Sequence, residues 1–366
     1  MSAVQLEVLA PGAYASLQDG GRRGYRRIGV PWAGVLDTRL MRIANVLVGN
    51  AEGAPVIECF DGGLLLAARG GPLRLAVAGD AVLEIERGGE RSALAPWRSL
   101  TLGDGELLRL RRMSGGRIAV VAVEGLVLTP VLGSVSTYAR AALGGLDGPL
   151  AGRALTTGML LPVQAARAGG ERMLPRPPYV EEGPIRVVPG PQADHFSAAA
   201  FATLLGEEYR VSAEADRMGL RLEGPALEHA GAREIVSDAT VPGAIQVPGN
   251  GQPIVLLADA QTAGGYPKIA TVIGADLGRL AALRPGQVLR FAAVTAGEGE
   301  HLARAAEAGT RALLASVRPL AADGIDLAAL QAANLVSGVV HALAAEYRPL
   351  TAAADQAAAP TPPEPR

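Results

Sequence analysis

Short apolar runs, broken every few residues by Gly, Pro or charge, recur along most of the chain. Leu73–Val77 is followed by Gly79-Asp80 and by the alternating stretch Val82–Glu86, a pattern that predicts a hairpin. Leu107–Arg111 alternates again, and Arg117–Val123 is a near-continuous apolar run of the kind a buried strand requires. Further strands are expected at Ile185–Val188, Ile254–Leu257, Ile269–Ile273 and Val288–Val294. Strands this frequent, with turn residues between them, point to barrels or sandwiches rather than a βαβ sheet.

Helical periodicity is rarer. Asp37 can cap a helix to about Val48 that carries Leu40, Ile43, Ala44 and Leu47 on one face, with Gly49-Asn50 as the stop. Asp194 can cap a second through Leu205. A third is expected over about Gly299–Val317 and a fourth over about Asp326–Ala345. The resulting division is a β-rich, barrel-like domain over 1–165, a Pro/Gly-rich linker over 166–183, a second β-barrel domain over 184–295, a helical extension over 296–348 and a disordered Ala/Pro tail over 349–366. The fold class is mainly β with peripheral helices.

Composition narrows the function. The chain has 366 residues, 49% of them hydrophobic, enough for a sizeable core. A net charge of −2 with no basic block leaves no nucleic-acid surface. One cysteine excludes an internal disulfide and a multi-cysteine metal site, and the four histidines are scattered without an HExxH pair, so no metal centre is expected. Cys59 lies in the apolar Val56–Phe60 segment and reads as a buried structural thiol. No signal peptide and no membrane-length apolar stretch is visible, which makes a cytoplasmic location the expectation. GxxxxGK[ST], GxGxxG after a strand and GxSxG are all missing, so P-loop, Rossmann and α/β-hydrolase readings have no motif behind them.

One count stands out. Of the 34 basic residues, only Lys268 is a lysine. Lysine is a compact point charge able to lose its proton, whereas arginine is a planar fork that is not. Lys268 closes the densest polar stretch of the chain, in which Gln246 precedes Asp259, Gln261 and Thr262, and a Gly264-Gly265 turn then presents Tyr266 and Lys268. Carboxamides can read an amide or carboxyl group with both donor and acceptor, and the ammonium can neutralise a phosphate, carboxylate or oxyanion. Three other constellations stand beside it. Gln18–Tyr25, with Arg22 as an anion-binding candidate, leads towards Asn45. Pro189–Gln192 ends in Gln192, and Asp216-Arg217 forms an adjacent acid–base pair that needs other partners. For these three, an ordinary turn or an internal salt bridge is the competing explanation.

The segments QDGGRRGY, GVPWAGVLD, ANVLVGN, GPQADHF, ADRMGLRLEG, GAIQVPGNGQPIVLLADAQTAGGYPKIATVIGADL and LRPGQVLRF occur in order between Leu6 and Phe291. Together they resemble the biotin-dependent carboxyltransferase family. Within it they are most similar to the C-type subunits of 5-oxoprolinase, with the allophanate hydrolase subunit 2 proteins and part of urea carboxylase as relatives. The resemblance implies two cyclophilin-like β-barrel domains. It also implies B-type and A-type partner subunits, and an enzyme active only with them that opens 5-oxoproline to L-glutamate with ATP, and Mg2+ accompanying it. On that reading the expected catalytic residues are Lys268 (phosphoryl or oxyanion charge), Asp259 (metal or proton work) and Gln261. Gln246 and Gln261 would recognise the amide, and Arg22 or Arg217 would hold the carboxylate. Tyr266, Asp216, Gln192 and Asn45 join the substrate site, and Gly264 and Gly265 the nucleotide side. Two alternatives come with the resemblance. One is the carboxyltransferase component of a biotin-dependent urea or amide carboxylase, with the biotin carried on another chain. The other is a non-enzymatic regulator that binds a kinase-inhibitor-like partner. Ala33, Ala215 and Met159 depart from the pattern, which has Ser, Ser and Asp there.

Overall fold

The computed structural model describes residues 3–164, 166, 169–320, 338–340 and 347–349. Met1–Pro319 form one compact unit and Leu320–Arg366 a second. In the second unit, Gly338–Val340 pairs antiparallel with Tyr347–Pro349. The helix expected over Asp326–Ala345 otherwise falls outside the described residues, as does the expected tail beyond Pro349; where that helix is described, at Gly338–Val340, the chain is strand.

In the first unit, the first half of the chain builds two sheets. One is ordered Leu160–Pro162, Gln5–Pro11, Leu64–Arg69, Leu107–Met113, Ala81–Arg87, Glu90–Leu94; the other Tyr14–Gln18, Val56–Phe60, Ile118–Val123, Leu73–Ala78, Arg98–Leu102, Arg172–Met173, Arg318–Pro319. Most connections cross from one sheet to the other, so the expected Leu73–Val77 and Val82–Glu86 hairpin does not form. Leu73–Ala78 pairs with Ile118–Val123 and Arg98–Leu102, whereas Ala81–Arg87 pairs with Leu107–Met113 and Glu90–Leu94. Gly79-Asp80 is a corner, not a hairpin turn. Gly79 sits at φ +125°, and a Cβ there would lie 2.9 Å from the Ile118 carbonyl oxygen. Only a residue without a side chain tolerates both.

Alternate side chains of both sheets (Leu6, Val8, Leu17, Leu66, Leu75, Leu100, Leu110, Val121) fill the space between them. The other face of the second sheet, with Ala76, Ala78, Val120 and Ala122, is covered by helix α1 (Thr38–Val48). Leu73–Ala78 and Ile118–Val123 are therefore buried at every position, which is why the second reads as a continuous apolar run and the first is apolar but for Arg74, itself buried and paired with Glu124. Helix α1 begins and ends as its sequence predicts. The Asp37 carboxylate accepts from the Arg39 and Leu40 amides, and Gly49 closes the helix in the left-handed region. Its Leu40, Ile43 and Leu47 are buried, each contributing on the order of 1.5–3 kcal/mol.

The second half forms one eight-stranded sheet: Val288–Leu289, Tyr209–Val211, Gly219–Glu223, Ile254–Leu256, Ala244–Gln246, Lys268–Val272, Ile185–Pro189, Phe291–Ala293. Its first and last members are separated in the chain by Arg290 alone, so the sheet is bent round on itself into a barrel. The single strand expected at Val288–Val294 is thus two, one pairing with Tyr209–Arg210 and the other parallel to Ile185–Val187. Helix α2 (Ala198–Gly206) is capped by Ser197 rather than Asp194. Phe196 intervenes in extended conformation, buried and bridged to His229, so Asp194 is left in a separate 3-10 turn. Helix α3 (Leu277–Ala281) is short, and α4 (Ala296–Ala315) opens on a Thr295–Glu298 capping box. Among the described residues no helix is long and apolar enough to cross a membrane. The helical extension expected over 296–348 ends within the described residues at Ala315 and returns as the strand Arg318–Pro319. That strand pairs with Arg172–Met173, inside the expected linker. Cores of the two halves are continuous: α1 packs in the same apolar cluster as the barrel residues Val187, Leu220, Ile245 and Ile269.

Replacing Gly79 by Ala is expected to lower stability by about 1–3 kcal/mol, the usual cost of a side chain forced into a disfavoured backbone region, before the clash with Ile118 is added. Urea unfolding measures it; a loss within 0.5 kcal/mol, roughly the range of an ordinary surface change, would contradict the corner.

Candidate functional site

Lys268 begins a barrel strand and lies in register opposite Gln246 on the neighbouring strand, where a bulge follows Ile245. That register sets their side chains beside one another on one face. Lys268 is 2% exposed. Its Nζ donates to Asp238 Oδ2 at 2.8 Å, and the same oxygen accepts from Gln192 Nε2 at 3.0 Å. The Lys268 amide in turn donates to Gln192 Oε1 at 3.3 Å. Gly190 makes this seating possible, since a Cβ there would fall 2.1 Å from the Lys268 carbonyl oxygen. Gln261 Nε2 donates to Gln246 Oε1 at 3.2 Å, and Gln246 Nε2 reaches the Tyr266 carbonyl weakly at 3.5 Å. Gly264 lies against both carboxamides: a Cβ would be 2.5 Å from Gln246 Nε2 and 3.3 Å from Gln261 Nε2. The Gly265 carbonyl accepts from the Ile235 amide at 2.8 Å. Lys268, Gln192, Gln246, Gln261, Gly264, Gly265 and the Tyr266 backbone are therefore one neighbourhood, closed on its outer side by the strand pair Asp238–Ala239 and Ala263–Gly264.

Asp259 is not the acid of this neighbourhood. It forms a two-pronged pair with Arg217, both contacts at 3.1 Å, while Arg217 also donates to Glu58 and to the Gly34 carbonyl. Glu58 is fully buried and accepts from the Leu36 amide at 2.7 Å. Burial pushes the Glu58 carboxyl up from its ordinary range, tempered by the Arg217 charge. Burial alone would pull Arg217 down, but the charges of Glu58 and Asp259 more than offset it and hold the guanidinium above its ordinary value. Glu58 and Gly34 come from the first half of the chain, and Arg217 and Asp259 from the barrel. The Ala33 amide adds a bond to the Ala258 carbonyl at 3.1 Å. This is the polar joint between the two halves, and it occupies the Arg217 donors.

Arg22 is wholly buried and donates to the carbonyls of Val131 and Ser136. Its Nη1, Gln18 Oε1 and Thr137 Oγ1 are buried without a hydrogen-bond partner among the described residues. Asp19 ties the same loop down, accepting from Gly21, Val135, Ser134 and Ser136. Neither Asn45, buried in the last turn of α1, nor Asp216, in the turn before Gly219–Glu223, is hydrogen-bonded to the Lys268 neighbourhood. The Asn45 amide donates to the Glu52 and Ala54 carbonyls, and Asp216 accepts from the Met218 and Gly219 amides. Cys59 is buried, its Sγ 3.4 Å from the Ala119 carbonyl, and burial pushes its thiol up to about 12. Met159 is core, and Ala33 lies in the left-handed region beside the joint. A cleft of about 720 Å³ runs between the Trp32–Leu36 segment, the first turn of α1, Leu257-Ala258 and α4. Arg23 stacks over Trp32 at its rim, 4.2 Å from the ring centre. Lys268 does not line this cleft.

Sequence reasoning missed two acids, Glu58 and Asp238. Glu58 had a signal: it is the lone charge in an apolar strand, and such a charge requires a buried partner. Asp238 lies in a polar stretch where nothing local distinguishes it.

A nearly closed barrel joined through buried ion pairs to a two-sheet half, with carboxamides and one ammonium gathered at a strand edge, is the scaffold of a carboxyltransferase-type protein. Solved structures share it: the Kluyveromyces lactis urea amidolyase superposes with a TM-score of 0.76 at 26% identity, covering 86% of this chain and 20% of that one. TTHA0988 gives 0.68 at 36% identity, covering 79% of this chain, which spans only 56% of the length of TTHA0988. Residues 28–293 match the family described as carboxyltransferase domain, subdomain A and B, and the chain belongs to that family. It is 37% identical to the C subunit of 5-oxoprolinase from Escherichia coli K12 over 289 residues (78% of this chain, 90% of the relative). It is 36% identical to the Haemophilus influenzae protein of the same name over 304 residues (82% and 94%).

Two outcomes follow. Arg217→Met should cost about 3–5 kcal/mol in urea unfolding, because it leaves two acids buried without their cation; a loss under ~1 kcal/mol would contradict the joint. Hydrogen bonds from Lys268 and then Gln192 hold the Asp238 carboxyl down to about 2 from an ordinary 3.8. Its contribution to stability is thus full above the ordinary value and fades as pH falls through about 2. The carboxyl midpoint, followed by NMR on 13C-labelled aspartate, should rise in Lys268→Met; an unmoved midpoint would contradict the pairing.

Proposed function

We propose that this chain is the C subunit of an ATP-dependent 5-oxoprolinase, acting in the cytoplasm with B-type and A-type subunits to open 5-oxoproline to L-glutamate. The observation that carries the reading is the buried ammonium of Lys268 set beside Gln192, Gln246 and Gln261, together with the similarity to proteins named for that subunit. A lactam is stabilised by resonance, so its opening needs a polarised carbonyl, a fixed ring and compensation of developing charge. Gln246 and Gln261 offer amide donors and acceptors matched to the ring amide, and Lys268 supplies the positive charge. Asp259, held by Arg217, fixes the wall next to Gln261 instead of carrying a proton.

ATP would supply the driving force by phosphorylating the lactam oxygen, which activates the ring carbon to attack by water; cleavage of the C–N bond and hydrolysis of the resulting acyl phosphate then yield L-glutamate and phosphate. Among the described residues no cluster of three or more His, Cys, Asp or Glu able to hold a metal occurs, and no residue is assigned to the magnesium ion. The carboxylase alternative draws on the urea amidolyase fold, and there too the biotin would come from another chain, since the sole lysine is buried in an ion pair.

Co-expressed with its B- and A-type partners, the complex should release glutamate from 5-oxoproline only when ATP is present. Lys268→Ala should lower that turnover by ~10²–10³-fold, the usual effect of losing one charge-stabilising group. Undiminished turnover in the variant would reject the role of Lys268, and a complex that binds its partners without turnover would favour the regulator alternative.

A further inference from the structure

We propose that Asp238 is a specificity-determining residue of the Lys268 site: an internal carboxylate that holds the ammonium and Gln192 in place, and that the carboxylate of a ligand replaces. The inference rests on the 5-oxoproline reading for the identity of the ligand, but not for its chemistry.

The structure shows what Lys268 and Gln192 bind, because they already bind it. Two donors from different elements, Nζ at 2.8 Å and Nε2 at 3.0 Å, converge on one carboxylate oxygen. The two arginines that could have held a ligand carboxylate are committed elsewhere. Arg217 has its guanidinium donors on Glu58, Asp259 and Gly34, and Arg22, wholly buried, has Nε and Nη2 on the Val131 and Ser136 carbonyls with only Nη1 left unpaired. Lys268 is left as the cation whose partner is only loosely placed. Its side chain is 3% exposed, but that of Asp238 is 48% exposed. Asp238 rides on a strap, Gly231–Ala239, exposed at every position but Ile235, with Val236 93% exposed. A two-residue strand pairing and the amides of Ile235 and Thr240, bonded to Gly265 and Thr262, fasten that strap to the barrel.

Such a placement makes exchange cheap in electrostatic terms. Moving Asp238 into water while a ligand carboxylate takes its position leaves the buried ammonium paired throughout, so no unpaired charge is created in the interior. A neutral lactam has no such replacement to offer and cannot displace the aspartate. The site therefore discriminates in favour of ligands that carry a carboxylate next to the ring amide. The carboxylate would sit on Lys268 and Gln192 and the amide on Gln246 and Gln261.

The chain offers an unusually clean test, since its single lysine gives a single side-chain signal after 15N-lysine labelling of the full protein. Three probes are titrated: 5-oxoproline, 2-pyrrolidinone (the same lactam without its carboxylate) and acetate. The expected result is that 5-oxoproline and acetate shift the Lys268 signal and 2-pyrrolidinone does not. Asp238→Asn, which removes the competing charge, should bind 5-oxoproline roughly tenfold or more tightly, as loss of one charge-assisted competitor implies. Asp238→Glu keeps a carboxylate and should bind within about threefold of the parent, showing that the gain belongs to the charge and not to a loosened fold. Movement of the signal by acetate but not by 5-oxoproline would retain the carboxylate site and sink the substrate reading. If no carboxylate moves the signal, or if Asp238→Asn binds 5-oxoproline no better than the parent, the proposal is overturned.

Discussion

A charge inside a protein must meet its opposite there, because the interior cannot replace the water the charge has lost. In this chain that constraint is met twice, in different ways. Arg217 is enclosed by Glu58 and Asp259, both acids near-fully buried, and the three groups come from both halves of the molecule. Lys268 is just as buried but meets an acid that is half in solvent. The first arrangement is a permanent joint. The second is a pairing whose acidic member can leave without disturbing the core. The contrast separates the residue that aligns the barrel with the two-sheet half from the residue available to a ligand.

The fold places both arrangements where they are needed. The second sheet of the first half is buried on both faces, by the first sheet and by α1, and α1 shares its apolar cluster with the barrel interior. Glu58 therefore emerges from the middle of a buried strand directly at the boundary between halves. Val288–Leu289 and Phe291–Ala293, the two ends of the sheet, straddle one residue and bring it round nearly to closure, and the bulge after Ile245 sets Gln246 in register beside Lys268. Glycines at 190 and 264 let a turn and a strand approach the side chains they cover. The polar neighbourhood is thus built by backbone proximity as much as by side-chain chemistry.

Much of this was legible in the chain itself, and the exceptions have physical reasons. Periodicity found the strands with the strongest apolar pattern and the caps of α1 to the residue, since both depend on local pattern, but not strands such as Gln5–Pro11, Leu64–Arg69, Arg98–Leu102 and Gly219–Glu223. Partner choice does not: Leu73–Ala78 and Ala81–Arg87 have the spacing of a hairpin, yet the corner at Gly79 sends them to different sheets. The rarity of lysine pointed to Lys268, and the proximity in sequence of Gln246 and Gln261 to it carried over into space. The same proximity misled for Asp259, because the turn after Ile254–Leu256 ties its amide to the Arg217 carbonyl and its carboxylate to the Arg217 guanidinium. The acid that does reach Lys268 is Asp238, thirty positions earlier and brought back by a two-residue strand pairing too short to register as a pattern.

The central claim is that the one ammonium of the chain, among its carboxamides, is where the small molecule sits. A crystal structure of the protein soaked with 5-oxoproline tests it most directly. Ligand density is expected within hydrogen-bonding distance of Lys268 Nζ and of the Gln246 and Gln261 amides, with Asp238 turned outward. Density confined to the cleft beside Trp32 and α4, with the Lys268–Asp238 contact intact, would contradict it.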